Sequence, residues 1–164
     1  MDLQAHLSFP AEPDRVAALL ADPEYVRARC VATGARSSEV TVTREADGGF
    51  SVSSTRAFPT DGFPSFARSM VGPMVTLEQV DRWTPADDGS WRGTSTVTTV
   101  GAPARFDARG LLEASVTGAR QSISGSVTAP PVPLLGAKIE KMIHDQIMKA
   151  IAVEERLAAE WLTR

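Results

Sequence analysis

From Leu134 to Leu162 the chain runs without a proline, and Gly136 is its only glycine there. Within that stretch Leu135, Ile139, Met142, Ile143, Ile147, Ala150, Ile151, Leu157, Ala158 and Trp161 recur at three- and four-residue spacing. Such spacing lays them along one stripe of an α-helix, and that stripe has to be buried against another element. At 1.5 Å per residue the helix is about 43 Å long, against about 33 Å for a ten-residue strand. It can cross an entire sheet, so the remainder of the chain must offer it an apolar face.

The residues upstream supply one. Leu3, Ala5, Leu7 and Phe9 alternate with Asp2, Gln4, His6 and Ser8, the period of a half-buried strand over 2–10. Pro10-Ala11-Glu12-Pro13-Asp14 opens a helix, and Asp22-Pro23-Glu24 opens a second with an Asp cap and proline in the first turn. Residues 29–35 read as a possible strand, 38–46 as a strand carrying Val40 and Val42, and Asp47-Gly48-Gly49 as a hairpin turn before Phe50 and Val52. Further strands are expected over 74–83, 91–100, 104–117 and the segment holding Ile123 and Val127, with a turn at Pro85-Ala86-Asp87-Asp88-Gly89. Ala129-Pro130-Pro131-Val132-Pro133 ends the sheet. Strands at hairpin intervals, each with one apolar face, predict an antiparallel meander covered on one side. The fold class is α+β: about seven strands curved around a long C-terminal helix, with two short helices after the first strand.

Composition narrows the partners. The chain has 164 residues, 43% hydrophobic and 23% charged, with a formal net charge of −3. A chain of this length forms one domain, expected over 1–164, and buries roughly 68–70% of its unfolded surface. No basic stripe of the kind that nucleic acid requires is present; Arg27 and Arg29 stand alone, and Lys138, Lys141 and Lys149 are interleaved with acids. The start of the chain has no signal-like apolar run, and no stretch approaches the 18 or so apolar residues of a membrane span. A lone Cys30 excludes an internal disulfide and points to a reducing compartment. The expectation is a cytoplasmic protein without nucleic-acid or integral membrane association and without a cofactor motif; its oligomeric state is open.

FPAEPDRVAALLADPEY near the start, VGAPARFDARGLLEAS in the sheet and VPLLGAKIEKMI at the final helix carry a family likeness. In these segments, and in its order of elements, the chain resembles the START-like or SRPBCC superfamily, which includes the birch pollen allergen, lipid-transfer domains and polyketide cyclases. It looks like an uncharacterised bacterial branch of it. The resemblance implies a helix-grip architecture with a hollow between sheet and helix. Fold does not settle activity, because carriers, cyclases, co-chaperones and receptors share it.

Candidate ligand-binding residues follow from the pattern. Residues 58–73, FPTDGFPSFARSMVGP, form a structured loop or short helix in which Phe58, Phe63, Phe66 and Met70 are either a lid over a pocket or a satellite cluster sealing the core. Gln79 and Asp81 share a strand face with Leu77 and Trp83, and Arg56 is in phase with Phe50 and Val52. Polar groups there are costly unless hydrogen-bonded or wetted; either they anchor a ligand, or strand twist turns them to solvent. Phe106, Leu112, Leu135, Ile139, Met142 and Ile143 complete an apolar wall, and Gln146 on the helix stripe could orient a guest. Glu154, nearer the C-terminal half, reads as a structural salt bridge. His6 and His144 read as solvent-facing, and neither Tyr25 nor Cys30 sits in a nucleophile pattern. No residue is assigned a catalytic role and no metal-ligand cluster is seen.

Three functions remain: binding or carriage of a small hydrophobic molecule, lipid or polyketide-like; a cyclase or dehydratase drawing on Asp81 and Arg56, with His6 a distant third; and a co-chaperone-like interaction module. A 300 Å³ pocket held dry would cost about 7 kcal/mol, comparable to a whole domain's net stability of about 5–15 kcal/mol. Any real pocket here is wet, partly collapsed or occupied.

Overall fold

The computed structural model describes residues 1–129 and 131–164; Pro130, expected in the segment that ends the sheet, lies outside them. In chain order the elements are β1 (Asp2–Phe9), α1 (Pro13–Leu20), α2 (Pro23–Ala32), β2 (Ser37–Arg44), β3 (Phe50–Pro59), α3 (Ser65–Val71), β4 (Met74–Pro85), β5 (Trp91–Thr99), β6 (Arg105–Ser115), β7 (Gly118–Thr128) and α4 (Gly136–Leu162). The seven strands form one antiparallel sheet in the order β1-β7-β6-β5-β4-β3-β2. Every strand pairs with its chain neighbour except at β1, which closes onto β7 and so brings the first strand beside the last.

Local chemistry accounts for the junctions. The Asp22 carboxylate accepts the Glu24 backbone N–H at 2.9 Å, and Pro23 occupies the first turn of α2. At the β2–β3 hairpin Gly48 has φ +87°, a left-handed conformation that a side chain would resist, and the Gly49 N–H donates to Asp47 Oδ1.

Residues 29–35 are not a strand: α2 runs on to Ala32 and ends in a turn. The capped helix persists because Tyr25, Val26, Arg29 and Cys30 share one face, at i, i+1, i+4 and i+5, and all four are buried. The terminal helix begins at Gly136 instead of Leu134, whose φ of +66° is incompatible with a right-handed helix.

The core has two centres. One gathers Leu7, Phe9, Val16, Leu20, Tyr25, Val26, Phe50, Trp83, Leu112, Ala158 and Leu162, where α1, α2 and the end of α4 meet the sheet. The other gathers Leu3, Ala5, Phe106, Ala108 and Val127, with Ile143, Ile147, Met148 and Ile151 of α4 packed on it. The backbone of α4 runs closest to β1 and also approaches β7, α1 and α2. It leans on one margin of the sheet. Of its residues only Ile139, Ala158 and Leu162 are fully buried, although the apolar stripe spans its whole length. The half-buried middle of that stripe faces a hollow.

Candidate functional site

A cavity of about 660 Å³ lies between the concave face of the sheet and α4. The strand register orders its wall. One row pairs Arg56, Leu77 and Thr99; the next pairs Ser54, Gln79, Val97 and Phe106; the next Val52, Asp81, Ser95 and Ala108; the last Phe50, Trp83, Gly93 and Gly110. Directly paired residues project to the same side of the sheet, so Ser54 lies beside Gln79 and Asp81 beside Ser95, while Arg56 and Gln79 are diagonal neighbours across β3 and β4. Leu77, Val97, Phe106, Ile139, Met142, Ile143, Ile147 and Ile151 supply apolar wall from the sheet and from α4.

The floor depends on glycine. Trp83 is 8% exposed, and a Cβ added to Gly93 would lie 2.8 Å from three atoms of its ring; one added to Gly110 would lie 3.0 Å away. The indole therefore lies flat across two neighbouring strands that carry no side chains at those positions.

Above β3, β4 and β5 a chain of buried and half-buried polar groups runs from the sheet to the helices. Arg56 Nη2 donates to Gln79 Oε1 at 2.6 Å, and Gln79 Nε2 donates to both Asp81 oxygens at 2.9 and 3.0 Å. Ser95 Oγ donates to Asp81 Oδ1 at 2.5 Å. Arg29, reaching in from α2, is 3.6 Å from Asp81 Oδ2 and donates through Nη1 to Glu154 Oε1 of α4 at 3.0 Å. Five elements, β3, β4, β5, α2 and α4, thus converge on a cluster of two cations and two carboxylates. Burial alone would lower the Arg29 guanidinium, but Glu154, then Asp81 and Tyr25, outweigh it and hold it above the ordinary arginine range. Arg56 moves the other way: burial first, then the like charge of Arg29, pull it below that range. Beside them Tyr25 packs edge-on to Trp161 at 5.6 Å, and its hydroxyl has no partner among the described residues. Burial, then Glu154, push its phenol above the usual range, against the opposing pull of Arg29.

One end of the cavity is covered by residues 60–73. Thr60, 1% exposed, ties the base of this segment: its N–H donates to Pro73 O at 3.0 Å and its hydroxyl to Gly72 O at 2.5 Å. Phe63, Ala67, Met70 and Val71 from this segment line the cavity, and Met70 is 44% exposed at its rim.

The expected ligand-binding residues divide accordingly. Phe58, Phe63, Met70, Arg56, Leu77, Gln79, Asp81, Trp83, Phe106, Ile139, Met142, Ile143 and Gln146 line the cavity. Phe66, Leu112 and Leu135 are not on its wall. In α3 the inward position falls to Ala67, one residue round the helix from Phe66. Leu112 is fully buried in the core cluster around Leu7 and Val16. Leu135 is the cap residue ahead of α4, so Ile139, one turn on, takes the inward place. The alternation that left Arg56, Gln79 and Asp81 either inside or turned to solvent resolves to inside, where Arg56 donates to Gln79 and Gln79 to Asp81. Glu154 forms the ion pair expected of it, with Arg29. His6 is exposed, while His144 is half-buried beside Asp145.

Arg29, Ser95 and Gln121 of the cavity wall were not anticipated. The signal for Arg29 was its i+4 spacing from Tyr25 within a helix already capped at Asp22. Gln121 lies in phase with Ala119 and Ile123, but nothing in the pattern sets it apart from a surface glutamine. It is 8% exposed, and its Oε1 has no partner among the described residues.

A family described as "Protein of unknown function (DUF2505)" matches residues 4–162. The chain belongs to the DUF2505 family. No curated protein matches the sequence. Among solved structures, TTHA0849 from Thermus thermophilus is similar over 98% of this chain and 95% of its own, at 15% identity and a TM-score of 0.61. A STAR-related lipid transfer protein (fragment 25-204) from Xanthomonas axonopodis is similar over 94% of this chain and 85% of its own, at 14% identity and a TM-score of 0.54. Ara h 8.0201 is similar over 96% and 97%, at 14% identity and a TM-score of 0.53. The likeness at these identities is one of fold, and this DUF2505 chain has the START-like helix-grip fold: an open seven-stranded antiparallel sheet with a long C-terminal helix. No helix among the described residues is long and apolar enough to cross a membrane.

Proposed function

We propose that this chain, as one START-like domain over residues 1–164 in the cytoplasm, binds or carries a small hydrophobic molecule, lipid or polyketide-like, between its sheet and α4. The cavity of about 660 Å³ carries this reading. It falls within the roughly 300–1,000 Å³ of small-molecule sites and has their composition, a mostly apolar wall with a few directional polar groups. Held dry at about 24 cal/mol per Å³, such a void would cost roughly 16 kcal/mol, more than the net stability of most domains, about 5–15 kcal/mol. Water or a guest must fill it, and an apolar wall favours the guest. That one structural neighbour is named a lipid transfer protein agrees with this.

The same geometry weighs against a cyclase built on Asp81. A general base needs an uncommitted lone pair within reach of the substrate proton. Of the roughly four acceptor sites on a carboxylate, Gln79 and Ser95 take three on Asp81, and Arg29 stands 3.6 Å from Oδ2, so most of its accepting capacity is spent within the cluster. Its role in this reading is to hold the cluster together.

The test is mass spectrometry of an organic extract of the purified protein, with a thermal-shift screen of lipids and aromatic polyketides. A ligand at a hundred times its Kd stabilises by about 2.7 kcal/mol, or roughly 5–11 °C for a chain of this size. A co-purifying hydrophobic compound or a shift of that order is expected. A clean extract with no shift across the panel would remove the carrier reading.

A further inference from the structure

Within the cavity one buried charged group is left short of partners among the described residues. Arg56 is 9% exposed and carries five N–H donors. Only Nη2 is hydrogen-bonded among the described residues, to the neutral carbonyl of Gln79. Nε is buried with no partner, and no carboxylate of the described residues lies within ion-pair distance of the guanidinium. Asp81 and Glu154 are the carboxylates close at hand, and both are taken by Arg29.

Gln79 cannot make up the difference. Its NH₂ is committed to the two Asp81 oxygens and to Ser95 Oγ at 3.5 Å. Turning the amide over would set its oxygen against a carboxylate and its NH₂ against a guanidinium, so the network fixes its orientation. Arg56 receives one neutral acceptor and no more. Its position is fixed too, since the guanidinium sits 5.5 Å over the Phe58 ring. A buried cation in this condition is costly until an acceptor reaches it, and Arg56 lines the cavity. Nε itself is closed off, and the donors left open to a guest beside the apolar wall are those of the other terminal nitrogen, Nη1.

We infer that the guest is a hydrophobic acid whose carboxylate docks on Arg56, with its body lying along Leu77, Val97, Phe106 and Ile143. This deepens the carrier reading and rests on it. A single negative charge matches the one buried cation of the wall without an acid of its own. Arg109 and Lys149, which also line the cavity unpaired among the described residues, are exposed. A doubly charged phosphate would bring more negative charge beside Asp81 and Glu154. Hydrogen bonds to charged groups are the stronger class, so the head group governs selectivity while the apolar wall supplies most of the affinity.

The test compares two probes with one hydrocarbon body, decanoate and decan-1-ol, by calorimetric titration at neutral pH. Wild type is expected to bind decanoate at least roughly tenfold more tightly. In Arg56→Met the decanoate-to-decanol affinity ratio falls to near one, and Arg56→Lys, which keeps the charge, retains part of it. Equal affinities in wild type, a comparison that needs no variant, would overturn the carboxylate assignment and leave the carrier reading standing. So would an unchanged ratio in a folded Arg56→Met. If neither probe binds, nor any compound in the thermal-shift panel, both readings fail together.

Discussion

Replacing Arg29 with methionine tests the polar cluster at its centre. The substitution keeps the length of the side chain and removes the cation between α2 and α4. Side-chain exposures of 10% for Arg29, 13% for Asp81 and 21% for Glu154 place the site well inside the protein, where solvent screening is weak. Removing one partner of a buried ion pair costs about 3–5 kcal/mol, because the other charge is stranded. Two features put Arg29→Met near the lower figure. Asp81 keeps its bonds from Gln79 and Ser95, and Glu154 is the most exposed of the three and can be partly rehydrated. A loss of about 3 kcal/mol corresponds to a fall in Tm of roughly 6–12 °C for a chain of this size. Urea unfolding of wild type, Arg29→Met, Glu154→Gln and the double variant closes a cycle. The double variant should be more stable than Arg29→Met alone, since the stranded carboxylate has gone with its partner. A loss below about 1 kcal/mol in Arg29→Met, or simple addition of the two single costs, would refute the claim that these charges are buried and coupled.

Two further outcomes follow from the geometry. Gly93→Ala places a methyl 2.8 Å from the Trp83 ring; the gain of about 0.4–1 kcal/mol expected for glycine to alanine at an unstrained site gives way to an overpacking loss of about 1–3 kcal/mol, read by urea unfolding with Trp fluorescence, and an equally or more stable variant would contradict the flat indole. Tyr25 is the chain's one tyrosine and its phenol is held above the ordinary range, so absorbance at 295 nm should show no phenolate until the protein unfolds. Above about pH 10 the unfolded chain loses a proton that the folded chain keeps, and stability falls by about 1.4 kcal/mol per pH unit; reversible ionisation near pH 10 in the folded protein would overturn this.

What could be read from the sequence is what local periodicity encodes. The stripe from Leu135 to Trp161 marked the terminal helix, and the alternation Leu3, Ala5, Leu7, Phe9 marked which face of β1 is buried. The same parity put Arg56, Gln79 and Asp81 in phase with apolar neighbours, but left open whether they face the concave side or twist away to solvent. Parity does not reveal which residue of the next strand lies opposite. Ser95 is one of several Ser and Thr residues in β5, and only the pairing Asp81 with Ser95 makes it a hydrogen-bond donor to the cluster. Arg29 escaped for a related reason. A cation on the buried face of α2 disrupts the amphipathic pattern by which a helix is recognised, and 29–35 passed for a strand. Leu112 shows the converse: it shares the cavity's face, but it sits a row beyond Trp83, under the first core cluster. The cavity itself is a gap between two surfaces, set by how far α4 leans toward β1, and no periodicity in either surface records it.

The space between β5 and α4 can be probed by filling it. Val97 is half-buried, faces inward beside Gln79 and Phe106, and lines the cavity. Val97→Phe should therefore be tolerated or mildly stabilising in urea unfolding, and should weaken binding of whichever hydrophobic probe wild type takes. A loss of about 1–3 kcal/mol, the usual cost of forcing extra volume into a close-packed interior, would mean that sheet and helix already fill the space, and the account would fail at its base.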